Sequence, residues 1–152
     1  MNTIASFTVD HDRLRPGMYI SRIDGDAVTY DIRMKTPNGG DYLGNGELHT
    51  LEHLMAVYAR NSAWAENVLY VGPMGCRTGF YLLLRNNVSF ADAIRLVREC
   101  FDYIAGFDGV IPGSRRQECG NYLEHDLPAA RRTAADMAGI LEHWTPDDLR
   151  YR

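Results

Sequence analysis

What most constrains the fold of this chain is a change of hydrophobic period partway along it. Val28, Tyr30, Ile32 and Met34 alternate with Ala27, Thr29, Asp31 and Arg33, which gives an extended segment one apolar face. Gly17 to Ile23 leads into it across the turn Asp24-Gly25-Asp26, and together the two runs predict an antiparallel hairpin. Asn67 to Val71 and Gly79 to Leu84 predict two more strands, flanking the turn Gly72-Pro73-Met74-Gly75-Cys76-Arg77-Thr78. After Ser89, Phe90, Ile94, Val97, Phe101 and Ile104 repeat at helical spacing. Ser89 and Asp92 provide a capping signal at the start, and Gly106 and Gly109 end the run. Ala130, Met137, Ile140, Leu141 and Trp144 mark another helix, about Leu127 to His143, following the punctuation at Pro128. A strand-rich first half followed by helices predicts an α+β fold, an antiparallel sheet packed against helices.

One domain over residues 1–152 is expected, because 152 residues with 45% apolar content can build a core without disulfides but leave little room for a second. Sixteen basic against 20 acidic residues give a net charge of −4 with no long basic run, which argues against a nucleic-acid partner. No apolar run approaches the ~20 residues needed to cross a bilayer, and Met1-Asn2-Thr3-Ile4-Ala5 lacks the pattern of a secretory signal. A cytoplasmic protein without a membrane partner is expected. Three cysteines with no close pair make a poor disulfide framework and read as thiols, ligands or nucleophiles.

The segment His49-Thr50-Leu51-Glu52-His53 points to chemistry. On a helix, running from about Leu48 to Asn61, the two imidazoles stand one turn apart on one face, where one divalent metal can take both. Glu52 projects beside that metal and could move protons to or from whatever the metal polarises. Such pairs also arise by chance on solvated helices. Here Leu51, Leu54, Met55 and Tyr58 make the segment apolar enough to be packed, and a packed imidazole needs a partner.

Cys119, in Gln117-Glu118-Cys119-Gly120-Asn121-Tyr122, is a candidate third ligand that would leave a fourth position open, as catalytic sites do. Its alternative role is a small buried hydrophobe. Cys76 lies on a glycine-bounded turn beside Arg77, where backbone amides and a guanidinium favour thiolate; it is a candidate catalytic thiol or, alternatively, a gap-filler in a hairpin. Cys100 lies beside the helical stripe and reads as packing. His125 and His143 read as surface or structural histidines and are assigned no role.

Four elements resemble one known family in its own order: Ser6-Phe7-Thr8-Val9-Asp10-His11, His49-Thr50-Leu51-Glu52-His53, Pro73-Met74-Gly75-Cys76-Arg77-Thr78-Gly79-Phe80-Tyr81 and Glu118-Cys119-Gly120. The chain is thereby similar to the S-ribosylhomocysteine lyases, the LuxS family. The resemblance implies a homodimer with active sites at the subunit interface. It also implies one divalent metal per subunit, Fe2+ natively and often replaced by Zn2+ or Co2+. The implied reaction cleaves S-ribosylhomocysteine to homocysteine and 4,5-dihydroxy-2,3-pentanedione, precursor of autoinducer-2, within the activated methyl cycle and methionine metabolism. Carried over residue by residue, it makes His49, His53 and Cys119 the metal ligands, Cys76 and Glu52 the proton carriers, and Ser6, His11 and Arg33 the grip on the homocysteine end.

The chain departs from the family pattern at two positions before Cys76, with Tyr70 where an Asp and Gly72 where a Ser is expected, and at Lys35. Two other classes compete. His-x-x-Glu-His is also the signature of inverted zinc peptidases, a reading that leaves Cys76 and Cys119 unexplained. A closed structural site of His49, His53, Cys119 and Cys76 would leave no room for substrate.

Overall fold

In the computed structural model, which describes residues 1–152, the alternating segment forms strand β2 (Ala27–Arg33), paired antiparallel with β1 (Gly17–Asp24). Met18 stands opposite Ile32 and Ile20 opposite Tyr30, so the apolar faces of the two strands coincide. Strands β3 (Val68–Pro73) and β4 (Gly79–Arg85) complete a sheet of order β1-β2-β4-β3, antiparallel throughout.

Three helices cover one face: α1 (Asn45–Arg60), α2 (Phe90–Ala105) and α3 (Leu127–Leu141). Met18, Tyr30, Ile32, Phe80 and Leu84 from the sheet join Leu51 and Leu54 of α1, Phe101 and Ile104 of α2, and Met137 and Leu141 of α3 in a single cluster of 28 buried residues. One continuous core makes this an α+β domain of one sheet and one helical layer.

Helix α1 starts three residues before the expected Leu48. The glycines at 44 and 46 read locally as loop, but Glu47 reaches back to accept the Gly44 N–H at 3.1 Å. Its other oxygen accepts the Thr133 hydroxyl at 2.6 Å, so a contact from α3 helps hold the start of α1. Helix α2 begins as expected, the Ser89 hydroxyl accepting the Asp92 N–H at 3.1 Å. Helix α3 begins at Leu127, with Asp126 accepting the Ala129 N–H, and stops two residues short of His143. Trp144, counted in the helical stripe, turns instead toward β1 and donates its indole N–H to Met18 O at 2.9 Å.

Helix α1 packs on β3 and against both other helices. The segment between α2 and α3, residues 106–126, returns past the exposed side of α1 and brings the side chains of Cys119 and His125 to it. No helix is long and apolar enough to cross a membrane.

Candidate metal centre and catalytic thiol

His49 and His53 emerge one turn apart from α1, ring centroids 4.6 Å apart. Each ring is fixed by a backbone carbonyl from the returning segment: His49 Nδ1–H donates to Glu124 O and His53 Nδ1–H to Pro112 O, both at 2.7 Å. A carbonyl can only accept, so Nδ1 carries the proton in both rings and Nε2 is left with its lone pair. Carbonyl anchors of this kind set tautomer and orientation in metal-ligating histidines. The loop reaches His53 closely because Gly113 adopts the left-handed region (φ +72°), and a Cβ there would press on the imidazole at 3.1 Å.

The Cys119 sulfur lies 3.3 Å from His49 Nε2, so the thiol proton and the imidazole lone pair point at each other. The Asn121 N–H donates to the same sulfur at 3.4 Å. Two imidazole nitrogens with freed lone pairs and a thiol at contact distance form a donor set suited to a divalent transition-metal cation. The expected trio of His49, His53 and Cys119 is thus drawn together from α1 and a segment some 70 residues away. Glu52, on the same turn of α1, is half-buried.

His125, assigned no role from sequence, stands among them. Its ring stacks on His49 at 4.1 Å and meets His53 edge-on at 5.0 Å. One ligand atom each from His49, His53 and His125 lie within 4.8 Å of one another, and Cys119 adjoins this group through His49. Thr50, wholly buried on α1, lies 3.0 Å from His125 Nδ1 and accepts the Asp126 N–H at 3.0 Å. Nε2 of His125 is buried without a hydrogen-bond partner. Burial first, and then the neighbouring imidazoles, lower its pKa and favour the neutral ring. No periodicity marks His125, and its place follows only from the chain's return before α3. His143, by contrast, is 91% exposed.

Cys76 is exposed at the tip of the β3–β4 turn, where Arg77 takes a positive φ of 60°. Its sulfur lies 3.1 Å from the Thr78 hydroxyl and 4.0 Å from Arg33 Nη1. Arg33 is nearly inaccessible: Nε and Nη2 donate to Asp31 at 3.1 and 2.6 Å, and Nη1 donates to Thr78 at 2.8 Å. Of the expected grip, Arg33 stands beside the thiol, whereas Ser6 lies on the 3-10 turn Ala5–Phe7 that packs on β1. His11 donates Nδ1–H to Val9 O at 2.8 Å, leaving its Nε2 free. Cys100 is buried in the core, where burial pushes its thiol pKa far up, as suits a packing role.

Comparison with known proteins points to one family. The family model described as S-ribosylhomocysteinase (LuxS) matches residues 4–146. Relatives named S-ribosylhomocysteine lyase include those of Phocaeicola vulgatus, 49% identical over 99% of this chain and 98% of its own length, and Clostridium acetobutylicum, 46% identical over 99% of each. A third, from Porphyromonas gingivalis, is 44% identical, again over 99% of each chain.

Proposed function

Because the chain belongs to the S-ribosylhomocysteinase (LuxS) family, we propose that it is a metal-dependent carbon-sulfur lyase cleaving S-ribosylhomocysteine to homocysteine and 4,5-dihydroxy-2,3-pentanedione. In this role it supplies the autoinducer-2 precursor and serves the activated methyl cycle. The observation that carries the reading is the convergence of His49, His53 and Cys119, each imidazole with its Nδ1–H spent on a carbonyl and Nε2 free.

These three residues would hold one divalent cation per subunit, Fe2+ in the cell with Zn2+ or Co2+ able to substitute. When bound there, the cation supplies Lewis-acid polarisation of the sugar carbonyl. The thioether of the substrate is unactivated until the carbonyl has moved along the ribose. Two enolisations move it, and each needs a proton removed from one carbon and returned to its neighbour. Cys76 takes this task, with Arg33 Nη1 and the Thr78 hydroxyl beside its sulfur. Once the carbonyl is β to sulfur, Glu52 acts as general acid and base in the elimination. A carbon-bound proton leaves, its electron pair forms the C=C bond, and the C–S bond breaks to release homocysteine thiolate. Ser6 and His11 bind the homocysteine end, whereas Arg33, its Nε and Nη2 spent on Asp31 and its Nη1 on Thr78, backs the thiol rather than the substrate.

We further propose a homodimer with each active site completed across the subunit interface. Ser6 and His11 sit in the N-terminal segment, whose 3-10 turn packs on β1, whereas the helix bearing His49 and His53 packs on β3 at the opposite sheet edge. Three strand spacings put these edges about 14 Å apart. Exposed apolar side chains mark both places, Ile4 and Phe7 near the N-terminus and Val110 and Leu123 in the segment over α1. The proposed compartment is the cytoplasm.

Turnover in D2O tests the proton-transfer route. Solvent deuterium should enter the ribose-derived carbons of the dione, and product free of deuterium at those carbons would overturn the enolisation sequence.

A further inference from the structure

The C-terminal end of the chain is tied to the surroundings of Cys76 by an unbroken set of contacts that the lyase reading does not use. Tyr151, two positions after Leu149, stacks on Tyr19 of β1 with ring centroids 5.2 Å apart, and Tyr19 meets Trp144 edge-on at 5.8 Å. Tyr19 is the cross-strand partner of Asp31. This aromatic column delivers the Tyr151 hydroxyl to Asp31 Oδ2 at 2.7 Å. Asp31 in turn holds Arg33 through two hydrogen bonds, and Arg33 reaches Thr78 and the Cys76 sulfur through Nη1.

We propose that Tyr151 is a positioning residue for the catalytic thiol, acting through Asp31 and Arg33. Its phenol adds a third donor to a carboxylate that is 1% exposed and helps keep water from the ion pair. With Asp31 satisfied, the guanidinium keeps Nη1 turned toward the sulfur. Without the phenol, the carboxylate is left short of a donor; its charge is felt more strongly and offsets more of the arginine's positive field at Cys76. The charged and titratable groups around the sulfur are Arg33 and Tyr81, Asp31 and Tyr151 behind Arg33, and the adjacent Arg77, whose Nη1 donates to Leu43 O at 3.3 Å. Burial, and then Asp31, raise the pKa of both tyrosines and keep them neutral near pH 7.

Tyr151→Phe tests this, because it removes the hydroxyl and keeps the ring on Tyr19. The readout is the iodoacetamide alkylation rate of the Cys76 peptide in metal-loaded protein, followed by mass spectrometry across pH, alongside kcat and KM. The rate at pH 7 should fall roughly threefold or more with its alkaline plateau unchanged, and kcat should fall with KM held. In the Asp31→Asn background the same change should have a smaller effect, since the path runs through that carboxylate. A merely structural phenol would lower the melting temperature and leave the alkylation profile alone, which would overturn the proposal. The inference rests on Cys76 as proton carrier. If Cys76→Ala retains lyase activity, that reading falls and this one with it. If Cys76→Ala is inactive and Tyr151→Phe alkylates like the wild type, only the role of Tyr151 falls.

Discussion

The Tyr70 phenol is folded over Gly72 on the edge strand β3, in the space a side chain at position 72 would need; a Cβ added at Gly72 would overlap the ring. The two departures from the family pattern before Cys76 are therefore one physical change. A Ser at 72 would require the aromatic ring at 70 to move. Tyr70 is half-exposed and can swing toward solvent, so the conflict is adjustable rather than forbidding.

Gly72→Ser alone should then destabilise the fold by about 0.5–1 kcal/mol, and Tyr70→Asp with Gly72→Ser should recover most of that loss. Urea denaturation of the two single variants and the double variant measures the coupling. Additive effects would contradict the steric link. If the Asp of the family pattern binds the amino group of the homocysteine end, the double variant should also lower KM.

Cys119→Ala should purify with its fold intact and most of its metal lost, because it removes the one thiol from the proposed ligand set. Metal analysis after dialysis reads this directly. Full metal retention would instead fit the inverted-peptidase reading, in which Cys119 has no place.

Thr50 holds the start of α3 and the ring of His125 to α1, so Thr50→Val should cost about 1–3 kcal/mol by leaving His125 Nδ1 without its partner, the Asp126 N–H keeping Gly46 O as acceptor. Chemical denaturation measures the loss.

Stability should fall between about pH 10 and pH 12. Tyr30 is 1% exposed, and burial pushes its pKa up to about 12, whereas the unfolded chain ionises near 10. A raised folded-state pKa contributes stability that is complete below the unfolded value and is lost as pH rises through the folded one. The loss due to this group should be about 2 kcal/mol, and Tyr30→Phe should flatten that part of the urea-midpoint curve.

The sheet was legible because its signal is local: the alternation from Val28 to Met34 and the turns beside it specify strands without help from distant residues. The imidazole pair was legible for the same reason, since i and i+4 on a helix fix mutual position. Cys119 could be named from its glycine setting and the family resemblance, yet its contact with His49 depends on how residues 106–126 return over α1. Such closures leave no periodic trace. That is why His125 read as incidental, why α1 was expected to begin at Leu48 rather than at its Glu47-capped Asn45, and why the hydrogen bond from Tyr151 to Asp31 was invisible in the sequence. Arg33 shows the limit most clearly, because its motif suggested a carboxylate of the substrate and the fold supplies Asp31 as its first partner.

The most direct test is anaerobic incubation of the Fe2+- or Co2+-loaded protein with S-ribosylhomocysteine, following release of free homocysteine thiol beside Cys76→Ala and Glu52→Gln. The account predicts steady release by the wild type and a loss of about 100-fold or more in either folded, metal-loaded variant. No release from folded, metal-loaded wild type would contradict it, and would mean that the centre formed by His49, His53 and Cys119 acts on a different substrate.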